Sequence, residues 1–179
     1  RRFGGNILIT NLAYDMALSI RQAQTYGISV RRATQADPLQ QFNRSYGIHF
    51  ALTGAFVLFT DINGDGRYNT EADDGIRCQV PSSLIYPEPE CVTVFKIEQG
   101  NSIAKFCAGS DCTDSIEINK QIDGLDILFH RPDPEPIIRA SEGGVVKESP
   151  YTNASVTVTS PQGVRKTIIV SANGQISIQ

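Results

Sequence analysis

The sequence predicts an α+β fold, in which one N-terminal amphipathic helix packs on an antiparallel β-sheet or a sandwich-like head. Apolar residues recur at helical spacing only near the N-terminus, and short alternating runs separated by turn signals follow. A chain of 179 residues is long enough for one domain with a buried core. We therefore predict a single domain, residues 1–179, with the helix in 1–27 and a β-rich head in 28–179.

The helix is predicted from a single apolar stripe in the segment that begins at Asn6. The stripe has the i, i+3, i+4, i+7 spacing of one buried helix face, and its members are Ile9, Leu12, Ala13, Met16, Ile20 and Ala23. Polar residues are expected on the other side, namely Asn11, Asp15, Ser19 and Gln22. Gly27 follows the last periodic residue and is predicted to be a left-handed C-cap.

Short β-rich runs with turn signals between them predict the head. The predicted strands are 28–32, 46–52, 56–61, 91–97, 115–119, 125–130, 154–159, 166–170 and 175–178. Near the C-terminus, Ser160-Pro161-Gln162-Gly163 predicts one turn, and Asn173-Gly174 predicts a type I′ turn. Residues 61–90 and 131–152 do not show a strand pattern, and long irregular segments of this kind are often functional.

Composition and charge give no indication of nucleic acid or membrane binding. The formal net charge is −3, and no apolar run is long enough to span a bilayer. Arginines at 1, 2, 21, 31, 32 and 44 lie near the helix and its exit. Such a patch could contact phosphates, but a solvated helix face or contacts with acidic neighbours in an assembly are favoured, so nucleic acid stays open as a partner without being favoured.

Four cysteines, Cys78, Cys91, Cys107 and Cys112, allow three disulfide pairings. Pairing of sequence neighbours is the simplest, since CAGSDC would close a tight loop. Zinc is disfavoured because no CxxC or HxxxH spacing is present, and free thiols are the other alternative. Two disulfides would indicate an oxidising, extracytoplasmic location.

The segment DINGDGRYNTEADD, residues 61–74, contains the clearest chemical motif of the chain. Oxygen-bearing side chains alternate in its first half, and a glycine follows, as in a D-x-[DN]-x-D-G calcium loop. The predicted calcium ligands are Asp61, Asn63, Asp65, the carbonyl of Arg67, Asn69, and Asp73 or Asp74. The segment departs from an EF-hand, because position twelve is Ala72 and a strand precedes it. An acidic turn without metal is the alternative.

No arrangement of residues predicts catalysis. His49 and His130 have apolar neighbours and are interpreted as strand residues with hydrogen-bonded rings rather than bases. There is no G-x-S-x-G elbow, phosphate-binding glycine loop or Rossmann fingerprint. We therefore predict that the protein is not an enzyme, has no catalytic residues and takes no small-molecule substrate.

Three segments of the chain resemble bacterial type IV pilin-like proteins. LAYDMALSIRQAQTYGISVR resembles the end of their N-terminal helix, FVLFTDINGDGRYNTE resembles an acidic element of their heads, and GQISIQ resembles their final hairpin. The resemblance is greatest to the minor pseudopilins of type II secretion (the H pseudopilin) and to FimT/FimU-like minor pilins. The four cysteines are not a general feature of that group.

The resemblance implies a structural subunit, a minor pilin or pseudopilin of a type IV pilus or type II secretion filament, which acts through assembly and through contacts at the filament surface or tip. Its partners would be other pilin subunits. The precursor would be anchored in the inner membrane by an apolar segment before Arg1, then processed and methylated, and the head would be extracytoplasmic. Two alternatives remain: a minor pilin that binds DNA for uptake, and a secreted, calcium-stabilised β-module that binds carbohydrate or has hydrolase activity.

Overall fold

The computed structural model describes residues 2–29, 44–69, 78, 90–147 and 150–179. Within these ranges, one N-terminal helix precedes eleven strands and a 3-10 turn at Ile118–Lys120. The elements are α1 (Arg2–Ile28), β1 (Tyr46–Ala51), β2 (Ala55–Thr60), β3 (Cys91–Lys96), β4 (Ser102–Ala108), β5 (Asp111–Cys112), β6 (Gly124–Phe129), β7 (Pro136–Glu142), β8 (Val145–Lys147), β9 (Asn153–Thr159), β10 (Arg165–Ser171) and β11 (Ile176–Ile178).

The strands form two antiparallel sheets. The first has six strands in the order β3-β2-β1-β6-β7-β8, and the second has five in the order β11-β10-β9-β4-β5. The helix α1 packs against β1 and β6 of the first sheet and against β10 and β11 of the second. The largest apolar core therefore combines residues from the helix and from both sheets.

The predicted α+β class, with its antiparallel sheet or sandwich-like head, is wrong. The described chain is mostly β and forms two separate antiparallel sheets with one N-terminal helix. A sandwich buries two sheet faces against each other. Here the principal direct contacts between the sheets are those of β4 with β6 and β7, and α1 covers other strands of both.

The inner face of α1 follows the predicted stripe. Ile9, Ala13, Met16, Ile20 and Ala23 are fully buried, and Leu12 is partly buried against the same core. Successive members are four or three residues apart, which keeps them on one side of a helix. The prediction of the buried helix face is therefore confirmed.

The end of α1 differs from the prediction. The helix continues through Gly27 to Ile28, and the Ser29 N–H donates to the Thr25 carbonyl at 2.9 Å. Gly27 does not have a positive φ, so it is not a left-handed cap. A Cβ atom at Gly27 would collide with the Phe129 carbonyl in β6. The glycine is thus needed for close helix–strand packing. The predicted strand 28–32 begins inside the helix, and its residues 30–32 lie outside the described residues.

The outer side of α1 is less polar than predicted. Ser19 is buried, and its hydroxyl donates to the Asp15 carbonyl at 2.9 Å. Three large apolar side chains face solvent instead: Ile7 is 58% exposed, Tyr14 57% and Leu18 61%. We call Ile7, Tyr14 and Leu18 the outer seam of α1.

Seven predicted strands match observed ones within two residues at either end: β1, β2, β3, β6, β9, β10 and β11. The predicted strand 115–119 is wrong, because that segment bends into the 3-10 turn. Strands β4, β5, β7 and β8 were not predicted. β7 and β8 lie within a segment rich in proline and glycine, where proline weakens any strand pattern.

Both C-terminal turns exist, but the second is of another type. At the first, the Gly163 N–H donates to the Ser160 carbonyl at 2.9 Å. At the second, the Gly174 N–H donates to the Ser171 carbonyl at 2.9 Å, and Gly174 has a φ of 81°. A type I′ turn needs positive φ at Asn173 as well, and Asn173 does not have it. The loop instead ends with one left-handed glycine.

Candidate functional site

The acidic loop follows β2 directly and is closed by the buried carboxylate of Asp61. One Asp61 oxygen accepts the Gly64 N–H at 2.7 Å, and the other accepts the Gly66 N–H at 2.9 Å. Both glycines have positive φ, 77° and 76°, a conformation that other residues adopt only with strain. The sequence D-I-N-G-D-G therefore folds into a tight turn around its first carboxylate.

Asp65 is the second carboxylate of the loop around which hydrogen-bond donors gather. Its side chain accepts hydrogen bonds from the Asn63 and Asn69 amide nitrogens, each at 3.1 Å. The Arg67 guanidinium Nε also donates to it at 3.1 Å. Partial burial acts to raise the pKa of Asp65, but these hydrogen bonds outweigh that effect and hold the pKa below its ordinary value.

Glu90, which the sequence analysis missed, completes this cluster. It is buried, and its carboxylate accepts the Ile62 N–H at 3.2 Å and the Asn69 N–H at 2.9 Å. Glu90 immediately precedes β3, which pairs with β2. The predicted strands 56–61 and 91–97, if paired as a hairpin, would have placed Glu90 opposite the start of the loop.

Burial raises the pKa of both Asp61 and Glu90. For Asp61, desolvation outweighs the lowering effect of the backbone N–H donors, and the charge of Asp65 adds to it. For Glu90, desolvation again dominates, and the charge of Asp61 adds to it. Buried neighbouring carboxylates repel each other and lose hydration, so the loop is stabilised when one of them takes up a proton or when a cation binds nearby.

The structure brings together four of the predicted calcium ligands, Asp61, Asn63, Asp65 and Asn69. Arg67 contributes its side chain, which donates to Asp65 and to the Gly144 carbonyl. Asp73 and Asp74 lie outside the described residues. Arg139 of β7 packs against Gly66 of the loop, and its Nε is buried without a hydrogen-bond partner among the described residues.

The cysteines form two disulfides, Cys78–Cys91 and Cys107–Cys112. The prediction of disulfide bonds is confirmed, and the pairs are sequence neighbours. In the described part of the chain, one set of three His, Cys, Asp or Glu side chains has its ligand atoms close enough together to share a metal ion. This set is Cys107, Cys112 and Asp114. Because the two sulfurs are bonded to each other, they cannot act as thiolate ligands.

Both histidine rings have hydrogen-bond partners. His49 Nδ1 lies 2.7 Å from an Asp126 carboxylate oxygen, and His130 Nδ1 lies 3.0 Å from the Ser45 hydroxyl. The His49 pair borders a cavity of about 360 Å³, which Arg67 and Asn69 of the acidic loop also line. The interpretation of both rings as hydrogen-bonded is confirmed, although His130 comes just after β6 rather than within it.

A groove separates α1 from β3. Its volume is about 1060 Å³, and its apolar lining includes Leu12 and Leu18 of the helix and Val92 and Phe95 of the strand. A smaller groove on the other flank of the helix is bordered by Tyr14, Leu18 and β11. Leu18 of the outer seam thus borders both grooves.

Among the basic residues noted in the sequence, only Arg21 and Arg44 have described side chains. No described helix is both long enough and apolar enough to cross a membrane. No protein family model matches the chain, and neither a curated protein nor a solved structure matches it.

Proposed function

We propose that this protein is a structural subunit, a minor pilin or pseudopilin, of an extracytoplasmic filament of the type IV pilus or type II secretion class. It acts by assembling with other subunits, without turnover of a substrate. The segments quoted from the helix, the acidic loop and the last hairpin motivate the class of filament, and the outer seam of α1 supports the assembly role.

The outer seam is the observation on which the assembly role depends. Ile7, Tyr14 and Leu18 are each more than half exposed on an ordered helix. Their spacings of seven and four residues place them along one side of the helix, as in the seam of packed helices. Several large apolar side chains exposed along one helix face are typical of protein interaction sites. A neighbouring subunit that covers the seam would remove this apolar surface from water.

The two disulfides support the proposed location. Structural disulfides persist in oxidising compartments such as the periplasm and the cell surface. Cys78–Cys91 ties the segment after the acidic loop to β3, and Cys107–Cys112 closes the β4–β5 hairpin. Both bonds would persist in an extracytoplasmic compartment of this kind.

The assembly role can be tested in cells that produce the full-length precursor. Leu18→Asp is expected to lower the amount of this protein in sheared, pelletable surface filaments at least about tenfold, because it places a charge in the seam. Leu52→Asp is the matched control, since Leu52 is 57% exposed in the β1–β2 turn and is not part of the outer seam. Wild-type protein found only as free monomer, or normal assembly of Leu18→Asp, would contradict the proposal.

We also propose that the acidic loop binds Ca²⁺. The donor types suit a hard cation, since Asp61, Asp65 and Glu90 supply carboxylate oxygens and Asn63 and Asn69 supply amide oxygens. The three carboxylates do not lie within sharing distance of one ion in this structure, so the loop would have to close around the cation. Burial raises the pKa of Asp61 and Glu90, and a neighbouring carboxylate charge raises each pKa further. A bound divalent cation would offset both the loss of hydration and the repulsion between these carboxylates. The two asparagine amides now direct nitrogen toward carboxylates; they would rotate to present oxygen.

Calcium binding is tested by thermal melting of the purified chain with chelator and with millimolar Ca²⁺. Binding with a Kd near 10 μM is expected to add roughly 2.7 kcal/mol at a hundredfold excess over Kd. The double variant Asp61→Asn/Glu90→Gln should lose this shift. A melting temperature of the wild-type chain that does not change with Ca²⁺ rejects the proposal without bearing on assembly.

A further inference from the structure

A polar cavity of about 360 Å³ lies on the face of the six-stranded sheet that the acidic loop covers. Its floor comes from three neighbouring strands, β1, β6 and β7. Gly124 of β6 pairs with Ala51 of β1 on one side and with Ser141 of β7 on the other. His49 and Asp126 pair two residues further along the same two strands, so their side chains lie on the same face.

The walls of the cavity are held in place by hydrogen bonds. The residues that form them belong to the acidic loop, to the position before β6 and to the β7–β8 hairpin, namely Arg67, Tyr68, Asn69, Asp123 and Gly144. The Arg67 guanidinium donates to the Gly144 carbonyl at 3.0 Å, which ties the loop to the hairpin. The Asp123 carboxylate accepts the Gly143 N–H at 2.6 Å. A site that is already ordered loses less conformational entropy when a ligand binds.

The floor presents two polar atoms that have no hydrogen-bond partner in the described part of the chain, Ser141 Oγ and His49 Nε2. A Cβ atom at Gly124 would touch Ser141 Oγ and would lie 3.5 Å from His49 Cε1, so both side chains reach over the glycine. His49 Nδ1 lies 2.7 Å from the Asp126 carboxylate. A carboxylate partner holds the proton on Nδ1 and leaves Nε2 as an acceptor. Polar groups in such sites normally have partners, and a ligand with hydroxyl groups can supply them.

The charged groups that line the cavity are of both signs. They are His49, Arg67, Asp123 and Asp126. Asp126 is engaged with His49, and Arg67 pairs with Asp65 at 3.1 Å, so neither sign dominates. An anionic ligand would meet the Asp123 carboxylate, and a cationic ligand would meet the Arg67 guanidinium. The lining therefore favours a neutral ligand that both donates and accepts hydrogen bonds.

The size of the cavity and its apolar surface narrow the class of ligand. Its volume is at the lower end of the range for small-molecule pockets, about 300–1,000 Å³. Its carbon surface comes chiefly from Ala51 and from the ring of Tyr68. That ring packs against His49 and Phe59, with centroids 5.0 and 5.3 Å apart. A pyranose has hydroxyl groups around its edge and carbon atoms on its ring faces, so it can use both kinds of surface.

We propose that this cavity binds one ring of a neutral sugar. His49 Nε2 and the Asp123 carboxylate accept hydrogen bonds from the sugar hydroxyls. The Ser141 hydroxyl and the Arg67 guanidinium donate to them, and the sugar ring lies against Tyr68. The inference goes beyond the proposed filament role and does not depend on it, because no residue of the outer seam lines the cavity.

Saturation-transfer NMR of the purified chain in chelator tests the proposal, with the methyl glycosides of galactose, glucose, mannose and N-acetylglucosamine as probes. At least one of them is expected to bind with a Kd of roughly 1–10 mM, because a single ring makes few contacts. Ser141→Leu fills the space above Gly124 and should abolish the signal. Ser110→Leu is the matched control, since Ser110 is exposed in the β4–β5 turn of the other sheet, and it should keep the signal.

A second variant keeps the test valid if Ser141→Leu is unstable. Asp123→Asn retains an oxygen that can accept the Gly143 N–H, and Asp123 is exposed, so the melting temperature should stay close to that of the wild type. Loss of the charged acceptor should weaken sugar binding about tenfold.

Three results would overturn the proposal. One is the absence of saturation transfer to all four glycosides with the wild-type chain, and another is an equal signal in folded Ser141→Leu. The third is displacement of the sugar by glycine at equal concentration, which would assign the cavity to a zwitterion with one group on Asp123 and one on Arg67. None of these results bears on the outer seam, which the Leu18→Asp variant tests separately.

Discussion

Gly27 of α1 lies directly against the backbone carbonyl of Phe129 in β6, with no space for a Cβ atom. The contact brings the last turn of the helix onto the first sheet. It involves backbone atoms of a buried central strand, which cannot move aside as a flexible side chain would. Close approach of this kind is one of the few structural reasons for a glycine inside a helix.

We therefore expect Gly27→Ala to destabilise the fold by about 2–4 kcal/mol, although alanine favours the helix by about 1 kcal/mol. Gly5→Ala is the matched control in the same helix. A Cβ there would meet only the end of the Gln162 side chain, which can move. In urea unfolding, Gly5→Ala should leave the free energy of unfolding unchanged or increase it. Equal midpoints for the two variants would mean that the helix end can shift away from β6.

We expect Asp126 to stabilise the fold mainly as the hydrogen-bond acceptor of His49 and less through its negative charge. Asp126 is buried, and burial raises the pKa of its carboxyl while the hydrogen bond from His49 lowers it. Asp126→Asn can still accept from the ring, so it should cost less than about 1.5 kcal/mol. Asp126→Ala leaves the ring without its partner and should cost about 2–4 kcal/mol. Urea midpoints at constant m measure both values, and a smaller loss for alanine than for asparagine would contradict the argument.

The buried side of α1 and most of the sheets could be predicted because their signal is local. Ile9, Met16 and Ile20 repeat at helical spacing, and strands such as β6 and β9 combine apolar and β-branched residues within six or seven positions. Strand β4 was not predicted, because Lys105 and Ser102 interrupt its pattern. Contacts between residues far apart in the sequence decide whether two sheets pack face to face or pack on a common helix. The periodicity of apolar residues carries no information about such contacts.

One part of the candidate site could be predicted from the sequence, and another part could not. The alternation of Asp61, Asn63 and Asp65 indicates a loop folded around its own carboxylates, and that loop forms. Glu90 joins it through contacts 21 and 28 residues away along the chain, and the sequence around Glu90 has no motif of its own. The exposure of Leu18 depends on what the rest of the chain covers, so the outer seam was not visible in the sequence.

The two disulfides are expected to stabilise the fold unequally. Cys78–Cys91 has a sequence separation of 13 and Cys107–Cys112 of 5. Loop-closure entropy then predicts losses of about 3 and about 2 kcal/mol when each pair is replaced by serines. Urea unfolding of the two double-serine variants measures these losses. A larger loss for Cys107→Ser/Cys112→Ser would show that this bond acts by holding the β4–β5 hairpin in the folded state.

Acidification is expected to stabilise the acidic loop when calcium is absent. Folding raises the pKa of Asp61 and Glu90 above their ordinary values of 3.8 and 4.5. In the window between those values and the raised ones, the folded chain binds more protons than the unfolded chain. The contribution of these two groups to the free energy of unfolding therefore falls as pH rises through the window, and it recovers as pH is lowered toward about 4.

The effect is measured as the difference between wild type and Asp61→Asn/Glu90→Gln in urea midpoint across about pH 4 to 7, because the remaining carboxylates titrate in both proteins. In chelator, wild type should lose stability relative to the double variant as pH rises. In saturating Ca²⁺ the sign should reverse, since a bound cation stabilises the ionised carboxylates and lowers their pKa. A pH dependence that is the same in both proteins would mean that these two carboxyls keep their ordinary pKa values in the folded chain, and that the loop's hydrogen bonds balance the cost of burying its charges.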